Sequence, residues 1–443
     1  LQLQGWHTRV VAPTEPGIDA ILQLPSKPTL LVIDYAETRS EQVFHLLEGL
    51  LQHGLQEKLR LLLIARTASD WWRALVARDA EIGNLLAEVT LQPIEPLTAS
   101  RERVEELYVT AYRQFSAELQ RVVGRVVSAP YKPYSSVLEI LQDALSAVLV
   151  GDNGIHSGTD LLLAHERRYV TASARSDGIG DVDDVDLNRM AAALTLYGAA
   201  NEDEAAGIVG ECNGELGPAV RRRLARLFRR LYPGNRTYVD GLRPDALAED
   251  LIAAVLHDDG RLPGAAAGFN ALDRTPLQRR HALTTLARGA HRHVGLATEL
   301  AMVVQTGDHE LLKVAIEVAC QVEDPEDLSV SISQAVESRP AADITSLLEA
   351  IPDETVALAT LAAQLARRAI ADLPEPSELT NRDVETSMAC SNRFSDAGWS
   401  AEAAASAQLA VDRLLMLDAD SRDERTLGRA LSNLSNRLWE MGR

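Results

Sequence analysis

Asp34, Glu37 and Arg66 have the types and spacing that phosphoryl chemistry uses. Asp34 closes the apolar run Thr29–Ile33 (TLLVI), Glu37 follows three residues later, and Arg66 stands just after a second apolar run, LLLIA at 61–65. A carboxylate at the end of a strand can hold Mg²⁺ directly or through water. A second acid three positions on can orient or deprotonate an attacking water, and an arginine nearby can read a terminal phosphate. The same acids also suit a plainer duty, capping the helix that begins near Ser40.

Whether the three residues meet depends on the elements that carry them. TLLVI is apolar without alternation, the pattern of a parallel strand covered on both faces. Val43, Leu46, Leu47, Leu50 and Leu51 then recur at helical spacing, closed by Gly54. With LLLIA as the next strand, the order is strand, helix, strand, a right-handed βαβ unit. Its strands run the same way, so Asp34 and Arg66 emerge at one sheet edge, where open α/β sheets bind ligands. A third short strand is expected near Val89–Leu91.

"LLVIDYAE" resembles the Walker B segment of the STAND class of P-loop ATPases, the NACHT and NB-ARC relatives. "LRLLLIART" is similar to the strand of that class ending in the sensor-1 arginine. "VTLQPIEPLTASRERVEELYVTAY" resembles the strand, Pro-Leu turn and helix that follow. "YKPYSSVLEIL" occupies the place of a turn whose proline faces the nucleotide; Pro133 matches, while Lys132 and Tyr134 replace apolar neighbours. The resemblance spans about residues 1–260. It implies ATP or ADP with Mg²⁺ as cofactors, Asp34 for Mg²⁺, Glu37 to position water, Arg66 to read the γ-phosphate, and Pro133 against the nucleotide. One part is missing: no GxxxxGK[ST] loop occurs in the chain. "LQLQGWHTRVV" resembles the strand just downstream of that loop's helix. The chain therefore reads as a fragment, starting on Leu1 and stopping on a helical pattern, with half a nucleotide site. By itself it is expected to bind nucleotide poorly or not at all.

Other chemistry finds less support. "LLLAHERRYV" (161–170) resembles a helix recurring behind the ATPase core of bacterial STAND proteins, and Tyr169 excludes an HExxH zinc motif. "DGIGDVDDVD" (177–186) lacks the EF-hand glycine and glutamate in register, and reads as a loop into a capped helix near Leu187. "GIHSG" places Ser157 one position late for a nucleophile elbow. His281, His291 and His293 lack carboxylates at metal spacing. In "AVRRRLARLFRRLYPGNR", Leu224, Leu227, Phe228 and Leu231 share one helical face, opposite Arg222, Arg226, Arg229 and Arg230. With "TYVDGLRPDALAEDLIAAVL" this suggests a winged helix making contacts inside the protein.

Composition sets the limits. The 443 residues suit about three domains. A net charge of −20 opposes general affinity for nucleic acid. Cys212, Cys320 and Cys390 stand far apart, suggesting a reducing compartment, and no apolar run approaches a bilayer span. A cytoplasmic protein is expected. The C-terminal third reads as short helices, with "CSNRFSDAGWSAEAAASAQLAV" echoed by "LSNRLWEMGR". The echo aligns Ser391 with Ser435, Phe394 with Leu438 and Gly398 with Gly442, and resembles tetratricopeptide (TPR) repeats.

The expected fold is mainly α with an N-terminal α/β portion. Residues 1–125 form part of a parallel-sheet nucleotide-binding domain, 126–260 a helical and winged-helix segment, 261–375 a helical-repeat-like domain, and 376–443 the start of a TPR-like α-solenoid. The resemblance implies a fragment of a signalling ATPase, a nucleotide-controlled switch in antiphage defence. Its repeats would detect a protein or peptide, and activation would bring self-oligomerisation. Two alternatives are a helical-repeat scaffold without nucleotide chemistry and a winged-helix DNA-binding regulator.

Overall fold

The computed structural model describes residues 6–12, 27–53, 59–66, 68, 70–92, 100–119, 129–130, 132–134, 136–150, 158–234, 237–259, 274–337, 339–353, 355–371, 373, 381–416 and 423–442. Gly54, the Pro-Leu turn after Val89, Ser157 and the glycine-alanine stretch at 262–268 lie outside them. Three strands, β1 (His7–Val10), β2 (Thr29–Ile33) and β3 (Leu59–Leu63), come first, with α1 (Ser40–His53) between β2 and β3. Helices α2 (Asp70–Arg78) and α3 (Ala80–Ala87) follow. Next come α4 (Arg101–Glu118), α5 (Val137–Val150), α6 (Gly158–Ser176), α7 (Asp184–Tyr197), α8 (Glu202–Cys212), α9 (Pro218–Leu231) and α10 (Asp245–Asp259). The remainder is α11 (Pro276–Ala290), α12 (Val294–Thr306), α13 (His309–Ala319), α14 (Glu326–Val336), α15 (Ala341–Glu349), α16 (Ala359–Ala371), α17 (Asn381–Asp396), α18 (Ser400–Met416) and α19 (Glu424–Glu440). The described chain is mainly helical with one small parallel sheet. No helix in it is long and apolar enough to cross a membrane.

The chain divides into two compact units, Leu1–Thr90 with Phe269–Arg443, and Leu91–Gly268. In the first unit β1, β2 and β3 pair in that order, all parallel, with Val10 opposite Val32 and Ile33 opposite Leu63. One sheet face buries Leu31 and Ile33 against Val43, Leu46 and Leu47 of α1 and Trp71, Leu75, Ile82 and Leu86 of α2 and α3. The other face is not sealed. Val10, Leu62 and Ile64 are 64%, 46% and 42% exposed, which corrects the expectation of cover on both faces. The helices that pack on the sheet, α1, α2 and α3, all join the one core that holds Leu31 and Ile33. The unalternating run TLLVI therefore has one deep face and one shallow face.

The expected strand at Val89–Leu91 is also corrected. Among the described residues β3 pairs with β2 alone, and the chain leaves α3 through a turn with Val89 and Leu91 about half exposed. Their β-branched and apolar character finds no edge to pair with and no face to bury.

Helices α11 to α19 complete this unit as stacked pairs. Each packs on its neighbour in sequence or on the equivalent helix of the next pair: α11 on α12 and α13, α12 on α14, α14 on α16, α17 on α18 and α19. Gly398 and Gly442, matched by the sequence echo, both adopt positive φ (76° and 71°) just beyond α17 and α19. At the first, Trp399 N donates to Phe394 O and Gly398 N to Ser395 O, a Schellman closure that needs a left-handed residue.

The second unit pairs α4 with α5, burying Val104, Tyr108, Ala111 and Tyr112 against Ile140, Ala144 and Val148. Helix α4 (Arg101–Glu118) lies in the unit Leu91–Gly268. Helices α7, α8 and α9 follow in close contact, and short antiparallel bridges join Ala199 to Val239 and Pro233 to Val239. Asp183 caps α7 by accepting from Val185 N, so the aspartate-rich loop opens a helix, as its sequence suggests.

Candidate functional site

At the C-terminal edge of the sheet, the last β2–β3 pair is Ile33 with Leu63. The turn that follows is sewn to the neighbouring strand: Ile64 N donates to Ile33 O, and Ala36 N donates to Ile64 O, each at 2.9 Å. Tyr35 takes a left-handed conformation (φ 54°), a strained state for a bulky residue, and Ala36–Arg39 forms a short 3₁₀ turn leading into α1. Arg39 fastens this turn by donating to Asp34 O at 3.0 Å and Val11 O at 2.8 Å. Gln42 donates to Ala12 O at 2.8 Å, so the ends of β1 and β2 are held together.

This scaffold brings Asp34, Glu37 and Arg66 to one rim. Asp34 is exposed, and its Oδ1 accepts from Tyr35 N at 3.0 Å. Arg66 lies over the Tyr35 ring at 5.5 Å from the centroid, and Arg288 of α11 lies over the same ring at 5.8 Å. Glu37 has no accessible surface, and neither carboxylate oxygen makes a well-formed hydrogen bond, although two backbone N–H groups lie close enough to act on it. Burial pushes its pKa up from the ordinary value of 4.5. Its own backbone N–H, the charges of Arg288 and Arg66, and the Arg66 backbone N–H pull the other way.

These residues permit a definite division of labour. Asp34 offers one solvent-facing carboxylate. That suits Mg²⁺ held jointly with substrate phosphates, a mode needing only one or two protein carboxylates. Among the described residues no group of three or more His, Cys, Asp or Glu forms a closed metal cage. Glu37 as placed reaches no solvent, so acting on a water requires the 35–39 turn to open. Pro133 belongs to the second unit and is exposed. Its neighbours Lys132 and Tyr134 both grip Asp143 Oδ2, at 2.8 and 2.7 Å.

Two residues of this region carried no local signal. Arg288 sits in an ordinary helical stretch, far along the chain from Tyr35. Asp70 reads as the start of a helix, yet it is buried and accepts from Thr355 Oγ1 (2.5 Å), Val356 N (3.0 Å) and Ala357 N (3.1 Å). It thereby ties the sheet layer to the turn before α16. No protein-family model, no curated protein and no solved structure matches this chain.

Two further surfaces bear on function. Helices α15, α17 and α19 line a cleft of about 730 Å³. On its wall Asn392 Oδ1 accepts from Arg437 at 3.0 Å and from Asn433 Nδ2 at 3.1 Å. The arginines of α9 are engaged internally. Arg222 pairs with Asp203 (3.4 Å), Arg226 with Glu202 (2.9 Å) and Arg230 with Asp177, while Arg229 donates to Thr237 O and Tyr238 O. The thiols of Cys320 and Cys390 are pushed up to about 12, chiefly by burial, which leaves almost no nucleophilic thiolate near neutrality.

Proposed function

We propose that this chain carries the Walker B edge, regulatory helices and repeat sensor of a STAND-type signalling ATPase. One observation supports the reading above others: Asp34 and Arg66 share the rim of a parallel sheet, with Glu37 directly behind them. In the working switch, Asp34 serves the Mg²⁺ of a bound nucleotide, Arg66 reads the γ-phosphate, and Glu37 orients water once exposed. Buried Glu37, under the charges of Arg66 and Arg288, corresponds to the resting state. Contacts of Arg288 on α11 with Tyr35, and of Asp70 with the turn before α16, give a ligand on the C-terminal helices a physical route to this turn. The order helix, bridge, helix, helix, bridge, bridge from α7 to Val239 is that of a winged helix. The occupied arginines of α9 favour a regulatory rather than a DNA-reading role for it. Helices α11–α19 stack in the manner of an α-solenoid, whose cleft along α15, α17 and α19 suits a peptide or protein ligand.

A second reading, a scaffold without nucleotide chemistry, draws on the sealed state of Glu37. The coding sequence upstream of Leu1 separates the two. An in-frame glycine-rich GK[ST] loop supports the ATPase, and in the polypeptide so extended Glu37→Gln is expected to abolish hydrolysis while keeping ATP bound. Normal hydrolysis by that variant removes the water-orienting role. The 443-residue chain is expected to show no measurable ATP turnover, and tight Mg-ATP binding to it in calorimetry would overturn the half-site.

A further inference from the structure

A cleft of about 470 Å³ opens in the second unit between α6, α7 and α10. Three guanidiniums line it, those of Arg167, Arg168 and Arg175, in a chain whose net charge is −20. Arg168, Thr171 and Arg175 follow at i, i+3 and i+7, so α6 turns one ridge toward the opening. A single carboxylate stands among them: Asp184, 3.5 Å from Arg175, with both side chains well exposed. Of the three, Arg168 alone is without a partner among the described residues, since Arg175 faces Asp184 and Arg167 is engaged.

The neutral groups sharpen the picture. Thr171 is 9% exposed, and Asn188 enters the lining from α7. Among the described residues neither side chain has a hydrogen-bond partner, and Arg168 has neither a hydrogen bond nor an ion pair. This contrasts with α9, where Arg222, Arg226, Arg229 and Arg230 all have partners within the unit. Behind the polar groups Val255 of α10 closes the floor at 3% exposure, an apolar surface for the rest of a ligand.

We infer that this cleft binds a small organic phosphate. A phosphate gives the unpartnered Arg168 guanidinium an anion to pair with, beside Arg175. Guanidiniums hold phosphate oxygens in pairs, and the Thr171 hydroxyl and Asn188 amide supply the neutral donors. The volume suits a ligand of nucleotide size or smaller. Duplex nucleic acid fits poorly, because its many phosphates would meet the acidic surface around a small basic recess. The inference is independent of the sheet-edge reading, since every residue it uses lies in the other unit.

Isothermal calorimetry on the full chain, with phenyl phosphate as probe and phenol as its uncharged counterpart, tests it. Phenyl phosphate should bind, more weakly as salt rises, and phenol should not. Arg168→Gln should weaken binding about tenfold, the effect of one charge-assisted contact. Asp184→Asn should tighten it, a gain that a merely structural residue would not produce, and Arg66→Gln at the sheet edge should leave it unchanged. In the unaltered chain, phenyl phosphate should slow phenylglyoxal modification of Arg168 as read by peptide mass mapping. Absence of heat at millimolar probe, equal affinity in wild type and Arg168→Gln, loss on Arg66→Gln, or unaltered modification of Arg168 would each overturn the assignment.

Discussion

Glu37 is held where an ionised carboxylate is poorly solvated, with no accessible surface and no well-formed hydrogen bond to either oxygen. Because its pKa is raised in the folded chain, folding takes up a proton above pH 4.5, and the stability this gives fades as pH climbs through the raised value. Glu37→Gln keeps the shape and removes the charge. It is expected to flatten the fall in stability above pH 4.5, and urea melts across that range measure the change in slope. Asp70 is the opposite case, a buried carboxylate with four donors, three from the turn before α16 and one from Arg73. Asp70→Ala strands a hydroxyl and two backbone N–H groups and should cost about 3 kcal/mol, read as a lower urea midpoint with unchanged slope. The two acids differ little in their immediate sequence, since each stands at the start of a helical turn. Only their distant neighbours, Arg288 and Thr355, set them apart.

Among the elements, the helix ends were the most legible. The echo that pairs Gly398 with Gly442 marks two left-handed closures, and the structure gives both positive φ. Nothing lies within 4 Å of where a Cβ would stand at either, so the constraint is backbone conformation alone. Gly398→Ala should therefore destabilise by about 1 kcal/mol, without a cavity or clash, and thermal melting of that variant checks it. The strands were half legible. Their existence and direction followed from TLLVI and LLLIA, but their cover did not: an unbroken apolar run does not say which of its faces another element reaches. The same ambiguity produced the strand expected at Val89–Leu91, where apolar residues lie in the open instead.

For the whole molecule, the division into Leu1–Thr90 with Phe269–Arg443, and Leu91–Gly268, makes the first unit discontinuous in sequence. Residues 1–90 alone lack Arg288 and the Thr355 turn, so Glu37 and Asp70 lose their long-range partners. That piece is expected to show no cooperative thermal transition by circular dichroism. Residues 91–268 hold their own cores along α4–α10 and should melt cooperatively when expressed alone. A cooperative melt of 1–90, or its absence in 91–268, would show the division to be wrong.

The sequence by itself determined the helical periodicity, the parallel βαβ order, the common edge of Asp34 and Arg66, and the acid balance that disfavours nucleic acid. These depend on spacing along a few neighbouring turns, where geometry is fixed by local backbone repeat. The tertiary structure alone decided that Glu37 is buried, that Arg288 shares Tyr35 with Arg66, that Asp70 joins the sheet layer to the turn before α16, and that three arginines line one cleft. Each depends on side chains brought together by packing between separate elements, and no local pattern encodes which elements meet.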